Sequence, residues 1–223
     1  MKISPRQQGV LILLFGIVAV SPDALLLRML EKLGITVQII LFWKSIFKVV
    51  LVMGYILGTV GLSKTIIGMK NGPTYVLIAS IFQTCMEFGF TNMFLETTVA
   101  RALLFYSLNP LWSAIMGRVF LGDQVHFHTK VTLVFAFISI FFTFGSQIFS
   151  NEKSEGRASI FGDLIAIGTG LATSAYITTV RMAHKKYPDI YLVPATVIGS
   201  LFTSLVLLIV LFSNSNFNLI PKP

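Results

Sequence analysis

Apolar residues in this chain of 223 amino acids gather in long blocks parted by short polar joints, without the alternation of a half-buried strand. Seven blocks are long enough to cross a hydrocarbon layer about 30 Å thick at about 1.5 Å per helical residue. They cover residues 9–30, 35–61, 74–95, 99–121, 131–149, 160–183 and 190–212. Backbone in lipid must satisfy its own hydrogen bonds, and blocks of this length suit helices rather than the short strands of a barrel. The pattern predicts an all-α integral membrane protein, multi-pass, with seven transmembrane helices. The opening MKISPRQQ runs straight into a block too long for the core of a cleaved leader and lacking a small-residue cleavage site, so that block reads as the first permanent helix.

Composition agrees with this. Hydrophobic residues make up 55% and charged residues 12%, with a mean hydropathy of +0.82, whereas an ordinary globular domain carries about 25% charged residues. The net charge of +8 would raise nucleic acid as a partner in a soluble chain. Here the Lys and Arg residues collect between the blocks, where they set orientation and meet anionic headgroups, so membrane lipid is the expected partner and nucleic acid is not. With the N-terminus inside, the inner segments hold Lys2, Arg6, Lys64, Lys70, Arg118, Lys130, Arg181, Lys185 and Lys186. The outer ones hold Arg28, Lys32, Arg101, Lys153, Arg157 and Lys222, and nine against six favours a cytoplasmic N-terminus. The single cysteine, Cys85, has no intrachain partner and reads as a small buried hydrophobe.

The most polar joint, SNEKSEGRAS at 150–159, divides the chain into 1–150 and 160–213, followed by a polar tail at 214–223. The two parts begin alike. At an offset of 153 residues, Gly9, Leu11, Ile12, Ala19, Ser21, Arg28, Met29 and Lys32 meet identical residues at Gly162, Leu164, Ile165, Ala172, Ser174, Arg181, Met182 and Lys185. Five blocks separate the copies, an odd number, so the second copy would enter the membrane from the opposite face. That is the layout of an inverted-topology repeat, the usual basis of alternating access in secondary transporters. The first part then forms a five-helix repeat and the second only the first two helices of another. On this arithmetic about three further helices are expected, and the chain reads as truncated.

The stretch TTVARALLFYSLNPLWSAIMGRVFLGDQV at 97–125 resembles the fourth-helix signature of the drug/metabolite transporter superfamily, in particular its EamA-like branch. In that signature a small-residue helix carries a mid-helix proline, then a glycine, then Gly-Glu at the cytoplasmic end. Pro110, Gly117 and Gly122 stand at the matching positions, while Asp123 replaces the glutamate, which keeps the charge and shortens the reach. The likeness extends to SPDALLLR at 21–28, to LFWKSIF at 41–47, where the family commonly has Arg at the Lys44 position, and to GDLIAIGTGLATSAYITTVR at 162–181. The resemblance implies ten helices in two repeats around a central solute cavity. It also implies transport of small organic metabolites by exchange or proton coupling, with a small-molecule solute as partner and pairing of two copies left open.

Ionisable side chains within hydrocarbon are expensive and usually face a cavity or a partner. Counted along ideal helices, Asp23 lies about 22 Å and Glu87 about 20 Å from the inner starts of their blocks, and Lys44 about 13 Å from the outer start of its own. All three thus fall in the outer half of the membrane. They read either as a substrate-binding cavity, with a carboxylate exchanging a proton or an amine and Lys44 holding an anion, or as an ion pair of Lys44 with Glu87 or Asp23 that fixes register. Lys48, one turn from Lys44, extends the cationic face or snorkels. Pro110 predicts a helix kink that frees the Tyr106 carbonyl. Tyr106, Asn109 and Trp112 flank the kink, Asn109 being the best placed of them for solute contact, although a kink satisfied by Ser107 or a neighbouring helix would serve packing alone. The small residues of GTGLATSA at 168–175 read as helix packing first and cavity lining second. Tyr176 stands where the first copy has Asp23, as a cavity lid or as bulk.

Arg28, Arg101, Arg118 and Arg181 sit near block ends, where snorkelling is the simple reading. His126 and His128 lack the further ligands of a zinc site, and no metal or other cofactor is expected. The chain has no phosphate-binding Gly-Lys-Ser loop, no His-Glu-x-x-His and no nucleophile–base pair, which argues against an ATP-driven pump, a protease or any other enzyme. A seven-helix receptor or photoreceptor is the main rival reading, and a non-transporting truncated fragment is a third. A retinal-binding version would need a lysine in the last block, which has none, and receptors ordinarily place the N-terminus outside.

Overall fold

The structure, a computed structural model, describes residues 5–124, 127–149 and 159–213, and every regular element among them is helical. The elements are α1 (Pro5–Val20), α2 (Asp23–Lys32), α3 (Val37–Thr59), α4 (Leu62–Lys70), α5 (Pro73–Glu96), α6 (Val99–Tyr106), α7 (Asn109–Met116), α8 (Phe127–Phe149), α9 (Ile160–Lys186) and α10 (Val193–Ser213). A π-helical turn, Gly117–Leu121, continues α7. Four stretches among the described residues are long and apolar enough to cross a membrane: Gln7–Lys32, Val37–Thr59, Ile160–Lys186 and Val193–Ser213. The polar joint before 159 and the tail after 213 lie outside the described residues.

Two blocks expected as single helices are broken, each at a proline. Pro22 supplies no N–H, so α1 ends at Val20 and a new helix opens at Asp23. In the fourth block α6 ends at Tyr106 and α7 restarts at Asn109 with Pro110 in its first turn, where a missing donor goes unused. The π-helical turn ends at Gly122, whose φ of 72° is left-handed and suits only a residue without a side chain. Between α3 and α5 lies α4, absent from the block pattern because it is short: Leu62, Ile66 and Ile67 are exposed while Thr65 and Gly68 face the bundle.

Helix α5 is the centre of the packing, pressed between α9 and α10, with α3 against α10 and α6–α7 against α9. Glycines permit the closest approaches. A side chain at Gly89 would collide with Thr169 of α9, and one at Gly199 of α10 would sit 2.8 Å from Gln83 Cβ and the Ser80 carbonyl. An apolar cluster closes each end of the bundle. Ala24, Leu27, Ile40, Met93, Phe94, Phe105 and Ala166 form one, and Val76, Ala79, Ala183, Ile190 and Ala195 the other. Between them lie the buried polar residues Ser80, Gln83, Thr84, Glu87 and Thr91 of α5 and Thr169, Thr173 and Ser174 of α9. Large apolar side chains such as Phe15, Phe47, Leu51, Leu77 and Phe202 point outward. Polar inside and apolar outside suits a lipid solvent. Cys85 belongs to the outward set, so the small thiol is exposed and not buried as its apolar context suggested.

The running directions follow from shared partners. Thr97, just beyond α5, accepts at its carbonyl from Arg28 in the last half of α2, and its hydroxyl donates to Asp163 in the first turn of α9 at 3.0 Å. The end of α2 and the start of α9 therefore meet at the same end of the bundle, and the two helices run in opposite senses.

Candidate functional site

The breaks and close approaches above leave a cavity of about 300 Å³ among α2, α3, α5, α6 and α9. Its walls carry Asp23 from the start of α2, Lys44 and Lys48 from successive turns of α3, Glu87 from α5 and Tyr106 from the end of α6. Five of the six solute-contact residues expected from sequence thus face one space. Asn109 does not: its backbone carbonyl accepts from Ser174 of α9 at 2.8 Å, and its side-chain oxygen also faces that hydroxyl. The kink at Pro110 is consequently held by the neighbouring helix. Gly170 lets the Tyr106 carbonyl approach α9, since a Cβ there would lie 3.3 Å from it. Trp112 is in the same neighbourhood with its indole N–H buried and without a partner among the described residues.

Two ion pairs cross the cavity, and both differ from a Lys44–Glu87 pairing. Lys44 Nζ lies 2.6 Å from Asp23 Oδ2 and 5.3 Å from the centre of the Phe90 ring. Lys48 Nζ lies 2.8 Å from Glu87 Oε1. Their settings are unequal. Glu87 is 5% exposed and receives four donors: Lys48, Gln83 Nε2 at 3.2 Å and the Ser200 hydroxyl on one oxygen, the Ser45 hydroxyl at 3.0 Å on the other. A carboxylate offers about four acceptor sites, so this one is nearly saturated. Asp23 and Lys44 are 26% and 32% exposed, and among the described residues Lys44 is the one hydrogen-bond donor to Asp23.

The other sequence candidates take structural places. Tyr176 packs in the second apolar cluster, its hydroxyl 3.3 Å from Thr196, and does not line the cavity. Arg101 does more than snorkel. It donates to both oxygens of the wholly buried Asp163, joining α6 to α9 at one end of the bundle. At the other end Arg181 of α9 pairs with Asp123, and Arg118 donates to the Asp123 carbonyl at 3.4 Å. The shortened acid thus finds its partner on α9. No group of three potential metal ligands occurs among the described residues; His128 is exposed, and His126 lies outside them.

Sequence reasoning passed over Ser45, Gln83 and Ser200, which complete the Glu87 cage, and Phe90 and Thr91, which line the cavity, whereas Thr169 and Thr173, also in the lining, belong to the 168–175 stretch that it read as packing first and cavity lining second. A usable signal existed in part. Gln83, Glu87 and Thr91 recur at four-residue spacing and share one face of α5, as Thr169 and Thr173 do on α9. Ser200 and Asp163 come from distant segments and carry no such local mark. Comparison with protein-family models, with characterised proteins and with solved structures gives no match for this chain.

Proposed function

We propose that this chain is a secondary transmembrane carrier of small organic metabolites, built in the manner of the EamA-like drug/metabolite transporters. In this reading seven segments traverse the membrane, the last two restarting the first two upside down, and alternating access is a rocking of the two parts about the central cavity. The observation that carries it is the convergence of Asp23, Lys44, Lys48 and Glu87, from three helices, on one cavity in an apolar bundle. Ionisable groups so placed mark solute or ion pathways because hydrocarbon tolerates them nowhere else. The opposed senses of α2 and α9 support the inverted relation. At the bundle end where α9 finishes, Lys64, Lys70, Arg118, Lys130, Lys185 and Lys186 are exposed, which supports placing that end in the cytoplasm.

The test is counterflow in proteoliposomes holding the purified full chain, preloaded with a mixture of amino acids, nucleosides, sugar derivatives and organic acids. Labelled solute of at least one class should accumulate above protein-free vesicles, and Lys44→Gln should lower the initial rate at least about tenfold at equal protein incorporation. Flux equal to that of empty vesicles for every class would refute the carrier reading.

A further inference from the structure

We propose that the cavity selects solutes bearing a carboxylate, that Lys44 is the group that binds it, and that Asp23 occupies the solute's place when the cavity is empty. The inference rests on the carrier reading for its physiological meaning, but its chemistry follows from a census of donors and acceptors around the cavity.

An ammonium has three N–H donors. Lys44 directs one at Asp23 and Lys48 one at Glu87, which leaves donors to spare on both. The Thr91 hydroxyl lines the same cavity, belongs to a residue 1% exposed, and has no hydrogen-bond partner among the described residues. A buried polar group left unpaired is unusual and calls for a ligand or water. The Tyr106 hydroxyl lies 3.5 Å from Thr173, whose own proton goes to the Thr169 carbonyl at 2.8 Å. Acceptors are scarcer. Glu87 already receives four donors, three on one oxygen and one on the other, and among the described residues Asp23 accepts on one oxygen. The surplus is of donors, and an anionic acceptor is what meets it.

Displacement is cheap at only one of the two pairs. The two lysines are about equally exposed, and the difference lies in the acids: breaking the Lys48–Glu87 pair strands a buried carboxylate away from water, whereas the partly exposed Asp23 can give up its place to another carboxylate. Asp23 also opens α2, whose first turn has no side-chain cap, so the positive end of that helix dipole lies beside the same spot. Phe90, Met86 and Leu41 supply an apolar wall for the body of the solute, and the volume limits it to a small molecule.

The probes are benzoate, benzamide and benzylammonium, one ring with an anionic, a neutral and a cationic head, titrated by calorimetry into the purified full chain in neutral detergent. Benzoate should bind at least about tenfold more tightly than benzamide, the margin of a charge-assisted hydrogen bond, and benzylammonium more weakly than either. Lys44→Gln should abolish the preference and Lys44→Arg retain it. Asp23→Asn removes the competing carboxylate and should tighten benzoate binding several-fold, a gain that damaged folding does not produce. Equal affinity for benzoate and benzamide, preference for benzylammonium, binding of none of the three, or weaker benzoate binding by Asp23→Asn would each overturn the inference. Benzylammonium bound and carried by vesicles would refute the anion site and leave the carrier standing. Benzoate bound as described by a chain that carries nothing would do the reverse.

Discussion

Two carboxylates at similar depth in the same cavity have different surroundings, and the difference sets what each can do. Glu87 is enclosed by Lys48, Gln83, Ser45 and Ser200, so replacing it by alanine leaves an ammonium and three polar groups unmatched inside the bundle. Lys48 is itself 34% exposed, so the loss falls below that of a fully buried pair, at about 1–3 kcal/mol. Asp23 holds one partner at a partly open site, so Asp23→Ala should cost less than Glu87→Ala. Thermal melting of the two variants in detergent separates the cases. Equal losses would mean that the cage around Glu87 contributes no more than an exposed pair. The residue types that make the difference, two serines and a glutamine, are unremarkable in a sequence. Only the arrival of Ser200 from α10 turns a row of polar residues on α5 into a saturated site.

At the scale of elements, α9 is fastened to the α6–α7 helix at both ends, but by unequal clasps. Arg101 meets Asp163 where the acid is wholly buried, with Thr97 as a further donor. Arg181 meets Asp123 where both are near half exposed, at 47% and 41%. Arg101→Met should therefore destabilise by about 3–5 kcal/mol and Arg181→Met by no more than about 1 kcal/mol, read as midpoint shifts in denaturant titrations in micelles. The reverse order would contradict the burial of Asp163. The proline breaks belong to this scale too. Pro22 and Pro110 stand in the sequence as interruptions, and each divides a block in the fold. What α9 adds is the compensation, with Gly170 and Ser174 receiving the freed backbone around Asn109.

For the whole molecule the decisive quantity is direction. The C-terminal half of α2 and the N-terminal turn of α9 meet at Thr97, which fixes their opposed senses within the bundle. Sidedness is tested with single cysteines on a Cys85→Ala background and an impermeant thiol reagent applied to sealed cells. Leu33→Cys and Ser159→Cys should react from one face, and Asn71→Cys and Pro188→Cys from the other. The second pair lies at the basic end and should be shielded in intact cells. Labelling of Leu33→Cys and Ser159→Cys from opposite faces would contradict the arrangement of the bundle and remove the support it gives to an inverted repeat.

Block length and hydropathy determined that the chain is helical and apolar-faced, because both are properties of consecutive residues. The charged positions Asp23, Lys44, Lys48 and Glu87 were legible for the same reason: an ionisable group within a greasy run is conspicuous wherever the run ends up. Which acid meets which lysine was not legible, since Lys44 and Lys48 share a face and lie one turn apart. Their choice is set by the depth at which α2 and α5 pass α3. Nor could periodicity show that Asn109 would turn to Ser174, that Arg101 would find Asp163, or that Cys85 would face outward. Those outcomes depend on which helices become neighbours, a matter of side-chain volume at crossings such as Gly89 with Thr169, and only the assembled bundle decides it.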